Sequence, residues 1–114
     1  MPYLRIQTNA SVDPSHAQSL IEKASEKVAK GLGKPEQYVM IELNDNTPML
    51  FAGTNQPLAY LELKSIGLPQ DSTKSLSTSL CELIHSELGI DPARIYIEFA
   101  DAERHMWGWN KATF

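Results

Sequence analysis

The chain predicts an α+β domain: a tandem β-α-β repeat whose four strands form one mixed sheet with two helices on one face. Three observations lead there. Each half runs from an alternating strand through an amphipathic helix to a second alternating strand. Both helical segments end in Leu-Gly, at Leu32-Gly33 and Leu88-Gly89. Both following strands come after a proline, Pro35 and Pro92. A strand buries one face under the helix that follows it, and two such units joined edge to edge share a single core. At 114 residues the chain is expected to be one domain, 1–114.

The elements follow in order. Pro2-Tyr3-Leu4-Arg5-Ile6-Gln7 alternates, with Leu4 and Ile6 on one face. A helix is expected from about Pro14 to Lys30, because Asp13 is a good N-cap and proline suits the first helical position. Its apolar stripe is Ala17, Leu20, Ile21, Ala24 and Val28, and Gly31 and Gly33 end it. Tyr38-Val39-Met40-Ile41-Glu42-Leu43 is the second strand. In the second half, Leu58–Lys64 alternates. A helix then runs from about Ser72 to Leu88, capped by Asp71 or Ser72, with Leu76, Leu80, Leu83, Ile84 and Leu88 inward. Arg94-Ile95-Tyr96-Ile97-Glu98-Phe99 is the last long strand.

The helix-free face of this sheet would carry Tyr3, Arg5, Gln7, Tyr38, Met40, Glu42, Tyr60, Glu62, Lys64, Tyr96 and Glu98. Met49-Leu50-Phe51 in the connector, and Met106, Trp107, Trp109 and Phe114 in the tail, add apolar groups at loops and ends. One reading is a solvated sheet face in a monomer. The other is burial against another subunit, which the tyrosines favour.

Composition narrows the function classes. The chain is 42% hydrophobic and 21% charged with net charge −4, ordinary values for a soluble globular protein. The acidic balance and the lack of a basic cluster argue against a nucleic-acid partner. No apolar run approaches the roughly 20 residues that span a bilayer, and the first residues do not read as a signal peptide. A cytoplasmic protein without membrane partners is therefore the expectation. The single cysteine, Cys81, excludes an internal disulfide and reads as a buried structural thiol on the second helix. His16, His85 and His105 lack ligand spacing, so no metal site is expected. Gly31-Leu32-Gly33 is a helix stop rather than a phosphate loop.

Pro2 has two readings. It can simply open a strand, where a missing N–H costs little. It can also become the terminal residue if Met1 is removed, exposing a secondary amine. Terminal amines titrate at roughly 7.7–8.0, so modest burial or a nearby cation would keep this one neutral and able to act as a general base. With Met1 attached, the same nitrogen is an amide and has no such chemistry.

A set of residues spread along the chain adds a resemblance. Met1-Pro2, Thr8-Asn9, Gly33-Lys34-Pro35 with Gln37-Tyr38, Met49 and Phe51 before Gly53, Ser65-Ile66-Gly67, Arg94 with Tyr96-Ile97, and Gly108-Trp109-Asn110 with Thr113-Phe114 occur in this order and spacing. Together they make the chain resemble the macrophage migration inhibitory factor family of the tautomerase superfamily, over essentially its whole length. The resemblance implies a homotrimer whose sheets surround a central channel, with a site at each subunit boundary. It implies keto–enol tautomerisation of phenylpyruvate-like 2-oxo acids, with dopachrome as a related substrate and no cofactor. It makes Pro2 the catalytic base. Lys34 would bind the substrate's carboxylate or carbonyl and lower the Pro2 pKa, the Ile66 backbone N–H would hold a substrate oxygen, and Tyr96 would reach into the neighbouring subunit's site. Tyr38, Trp109 and Phe114 would wall the substrate ring. On residue type alone, Lys34 reads as a solvated surface lysine, Tyr96 as an interface tyrosine, and the aromatic trio as plain packing.

Two departures from the family pattern bear on the pocket. Glu98 stands where asparagine is usual, and a charged carboxylate there would repel an acidic substrate and raise the Pro2 pKa. It would be harmless if it points away, pairs with Lys34 or Arg5, or is protonated. Trp107 replaces a smaller aliphatic residue and would narrow the pocket mouth or add stacking area. The Cys-x-x-Cys segment of some animal relatives is Leu58-Ala59-Tyr60-Leu61 here, which excludes dithiol chemistry. Two alternatives stay open beside the enzyme: a signalling protein acting through a receptor partner, and a small-molecule-binding trimer that Glu98 has made inactive.

Overall fold

The computed structural model describes residues Met1–Phe114. Its first half comprises β1 (Tyr3–Thr8), α1 (Pro14–Leu32) and β2 (Met40–Asn44). Its second half comprises β3 (Ala59–Ile66), α2 (Thr73–Leu88) and β4 (Ile95–Ala102). The tail adds a short ribbon of β5 (Gly108–Trp109) and β6 (Ala112–Thr113). The main sheet has the order β2-β1-β3-β4. Within each unit the strands are parallel, and the units join through the antiparallel β1–β3 pair. This is the expected tandem β-α-β architecture.

The strand period builds the core. Leu4, Ile6 and Thr8 are buried while Tyr3, Arg5 and Gln7 face outward, and β3 alternates likewise. The inward residues meet Leu20, Ala24 and Val28 of α1 and Leu76, Leu80, Leu83 and Ile84 of α2 in one cluster. Of the expected α1 stripe, Ala17 and Ile21 lie only partly buried at its margin. Thr8 is admitted to this apolar layer because its hydroxyl donates to the Leu58 carbonyl at 2.8 Å. Cys81 is partly rather than fully buried, and burial pushes its thiol pKa up.

The helix ends differ from one another. Asp13 caps α1 as expected, accepting from the His16 N–H at 2.9 Å. Gly31 lies inside the helix, and the stop is Gly33, whose φ of 62° is the left-handed conformation glycine tolerates. Ser72, one of the two expected residues, is the N-cap of α2, but its side chain makes no capping hydrogen bond. The hydroxyl instead donates back to the Pro69 carbonyl at 2.6 Å, beside the Ser72 N–H that closes a short 3-10 turn there.

Tyr38 is not on the sheet. Pro35 opens a 3-10 turn over Glu36–Tyr38, and the Tyr38 N–H donates to the Pro35 carbonyl at 3.1 Å, so it cannot join a ladder. The turn carries the Tyr38 ring toward the tail ribbon. That ribbon reverses through Asn110 and Lys111, both at positive φ as a tight two-residue hairpin requires. No helix is long and apolar enough to cross a membrane.

Candidate active site

Pro2 is buried at the start of β1. On one side, the Met40 N–H of β2 donates to the Pro2 carbonyl at 3.0 Å. On the other, the β1–β3 register pairs Tyr3 with Lys64. A β-strand that enters between two others thus delivers its first residues to the sheet end where both neighbours crowd them.

Above this point lies a cavity of about 220 Å³, bounded by Met1, Pro2, Tyr3, Tyr38, Val39, Met40, Trp107, Trp109 and Phe114 among others. Its wall is a built aromatic cluster. The Tyr38 ring meets Trp109 edge-on at 5.7 Å and Phe114 edge-on at 6.2 Å, while Trp109 and Phe114 stack at 5.3 Å. Pairs of this kind contribute about 0.5–1.5 kcal/mol beyond their buried area. The tail is further tied by the Phe114 N–H donating to the Trp107 carbonyl at 3.1 Å.

The electrostatics of the terminal amine follow from the same placement. The pKa of the Met1 amine is lowered, first by burial and then by the positive charge of Lys34. Both causes disfavour the protonated form. Lys34 does not border the cavity, yet its turn, closed by the Lys34 N–H donating to the Ala29 carbonyl at 3.0 Å, holds it near enough to act on the amine.

The structure therefore brings Pro2, Tyr38, Trp107, Trp109 and Phe114 together, with Lys34 acting on the terminal amine, while Ile66 is buried at the end of β3 and does not line this cavity. It does not bring Tyr96 or Glu98 to them within one chain. Tyr96 is 65% exposed on the edge strand β4, where its ring packs on Phe51 at 4.8 Å. Glu98 pairs with neither Lys34 nor Arg5. It accepts a hydrogen bond from Tyr60, which lies diagonally from it on the adjacent strand β3, while Arg5 lies 3.6 Å from Glu42. The two carboxylates beside Tyr60, of Glu98 and Glu62, raise its phenol pKa.

Three contributors were not singled out from sequence as site residues. Tyr3 and Met40 line the cavity, and only the strand register shows it. Arg94 acts at a distance: its guanidinium donates to the carbonyls of Phe51, Thr54, Gln56 and Pro57 and lies over the Phe51 ring at 5.2 Å. It clamps the connector against which Tyr96 rests. No group of three or more His, Cys, Asp or Glu side chains is arranged to hold a metal ion.

Comparison with known proteins agrees with this geometry. The family described as macrophage migration inhibitory factor (MIF) matches residues 1–114. A macrophage migration inhibitory factor homolog of Brugia malayi is 42% identical over 115 residues, covering 100% of this chain and 99% of that protein. The Mus musculus macrophage migration inhibitory factor is 33% identical over the same shares. Among solved structures, the homologue from Prochlorococcus marinus superposes with a TM-score of 0.93 at 42% identity, covering 98% of each chain. That from Trichinella spiralis gives 0.90 at 28% identity, covering 98% of this chain and 99% of its own. From its fold, its N-terminal cavity and these matches, the chain belongs to the macrophage migration inhibitory factor family of the tautomerase superfamily.

Proposed function

We propose that this protein is a keto–enol tautomerase of aryl 2-oxo acids such as phenylpyruvate, with dopachrome as a related substrate, and that Pro2 is its base once Met1 is removed. The observation that carries this reading is the position of Pro2, buried on the floor of an aromatic-walled cavity where burial and Lys34 both depress a terminal amine. Removing Met1 moves the amine one residue inward, from a partly buried residue to a buried one.

The chemistry is a balanced proton transfer. The Pro2 nitrogen takes a proton from the carbon beside the carbonyl, electrons move to the carbonyl oxygen, and that oxygen takes a proton from the protonated Pro2 nitrogen, directly or through water, to give the enol and restore the neutral amine. The return path reverses these steps. A positioned base contributes roughly 10²–10⁴-fold. Lys34 suits the substrate carboxylate, the Ile66 N–H a substrate oxygen, and Tyr38, Trp109 and Phe114 the ring. Tyr96 acts from a neighbouring subunit in a homotrimer, whose contacts would cover exposed Met40, Leu50 and Tyr96. Glu98 is compatible with turnover because its carboxylate is already engaged by Tyr60.

The test is phenylpyruvate tautomerisation by protein whose intact mass shows Pro2 at the terminus, compared with Pro2→Gly. Loss of most turnover in the variant is expected. A trimmed wild-type protein that turns over neither phenylpyruvate nor dopachrome overturns the reading.

A further inference from the structure

Tyr96 stands on β4, an edge strand in the order β2-β1-β3-β4, and most of its side chain is exposed. Tyr60 is opposite it in register on β3, but the Tyr60 hydroxyl is turned to Glu62 and Glu98. The aromatic ring packed on Tyr96 is that of Phe51, at 4.8 Å and tilted by 59°. Phe51 belongs to the connector between β2 and β3. The place of the Tyr96 ring therefore depends on how that connector is held.

The connector's own sequence does not hold it well. Phe51 and Thr54 exchange backbone hydrogen bonds of 3.0 Å around Ala52 and Gly53, both at positive φ. A tight turn of this kind needs that conformation at both central residues. Glycine accepts it readily, whereas a residue with a Cβ seldom does. Arg94, two residues before Tyr96, supplies the restraint. Its Nη2 donates to the carbonyls of Phe51 and Thr54 at 3.3 Å and of Gln56 at 3.0 Å, and its Nε donates to the Pro57 carbonyl at 3.0 Å. Its guanidinium carbon also lies 5.2 Å from the Phe51 ring centroid, within cation–π reach. Guanidinium, Phe51 ring and Tyr96 ring form one unbroken line of contacts.

We propose that Arg94 is a positioning residue: through Phe51 it fixes the Tyr96 ring so that the hydroxyl meets the site of a neighbouring subunit. The inference rests on the tautomerase reading, in which Tyr96 serves a neighbour. Arg94 itself touches no substrate. Its planar fork on four carbonyls has no equivalent in a lysine ammonium, so Arg94→Lys should restore little of what Arg94→Met loses. Misplacing a substrate-contacting group by about 1 Å can cost on the order of 10²-fold.

The experiment makes Arg94→Met and Phe51→Leu, each in the wild-type chain and in Tyr96→Phe. Phe51→Leu leaves the carbonyls that Arg94 binds in place and serves if Arg94→Met does not fold. The readouts are kcat/KM for phenylpyruvate and calorimetric binding of unreactive 3-phenylpropanoate. In the wild-type chain either change should lower kcat/KM by on the order of tenfold. In Tyr96→Phe it should cost less than about twofold, because the hydroxyl being placed is gone. Arg94→Met chains mixed with Pro2→Gly chains should recover turnover, since the latter bring a well-placed Tyr96. Equal losses in both backgrounds, or no recovery in oligomers shown by mass to be mixed, overturn the proposal. Wild type that binds without turnover sinks the tautomerase reading, and the same comparison of binding constants then decides for or against Arg94. Wild type that neither turns over nor binds overturns both.

Discussion

Tyr96 and Pro2 lie at opposite ends of the same sheet. Tyr96 pairs with Tyr60, which pairs with Gln7, five positions along β1 from Pro2 and two strands away. At ordinary strand geometry that is about 16 Å along the strands and roughly 10 Å across them. A site using both residues must draw them from different chains. Co-expressed Pro2→Gly and Tyr96→Phe chains should therefore form mixed oligomers that recover turnover well above either parent. Absence of recovery in oligomers shown by mass to be mixed would mean that Tyr96 serves no neighbour's site.

Lys34 is expected to act through the amine as well as through the substrate. Its charge is the second cause, after burial, of the lowered terminal pKa. Lys34→Gln removes a repulsion against the protonated amine, so the amine pKa rises and the neutral base is scarcer at low pH. The acid limb of kcat/KM, which reports the free enzyme's base, should move to higher pH, with an additional loss of roughly threefold to tenfold near pH 6. A profile that falls uniformly without moving would confine Lys34 to binding.

Glu87 ties the two helices. It accepts from Lys23 at 2.6 Å and meets His16 at 3.2 Å, and these hydrogen bonds hold its carboxyl below the usual range. Because the folded pKa is depressed, the stabilisation is present above the unfolded value of about 4.3 and is lost as pH falls through the folded value. Half-exposed Lys23 limits the effect by solvent screening. Glu87→Gln should cost on the order of 1 kcal/mol at neutral pH and much less well below pH 4, as read from denaturant midpoints.

Gly31 sits inside α1 because α2 passes close to it. A Cβ built there would lie 2.6 Å from the Leu76 Cδ2. Alanine would gain about 0.5–1 kcal/mol of helix preference, but buried Leu76 has little room to retreat, and overpacking costs about 1–3 kcal/mol. Gly31→Ala is expected to lower stability by on the order of 1 kcal/mol. A raised melting temperature would show that Leu76 moves aside freely.

The tandem units were legible because strand alternation and helix stripes repeat in both halves, and Leu4, Ile6, Leu20, Leu61 and Leu80 all take their expected inward places. What was hidden depended on partners distant in sequence. Tyr38 reads as a strand residue by alternation, but the Pro35 turn consumes its N–H and turns its ring to Trp109. The engagement of Glu98 by Tyr60 runs diagonally between β3 and β4, where the register sets Glu98 opposite Glu62, and no local pattern encodes it. Arg94 reads as the start of a strand, although its four carbonyl partners lie 37 to 43 residues earlier. Pro2, Lys34 and the tail aromatics could be grouped in advance only through family resemblance, because their meeting place is set by the whole sheet.

The state of the Pro2 nitrogen is the centre of the account. Protein labelled with ¹⁵N-proline, trimmed of Met1 and followed by NMR across pH 4 to 10, reports that nitrogen directly. The account predicts a titration midpoint below the roughly 7.7–8.0 of an ordinary terminal amine, rising when Lys34 is replaced by Gln. A midpoint at or above the ordinary value, unmoved by that substitution, would contradict it.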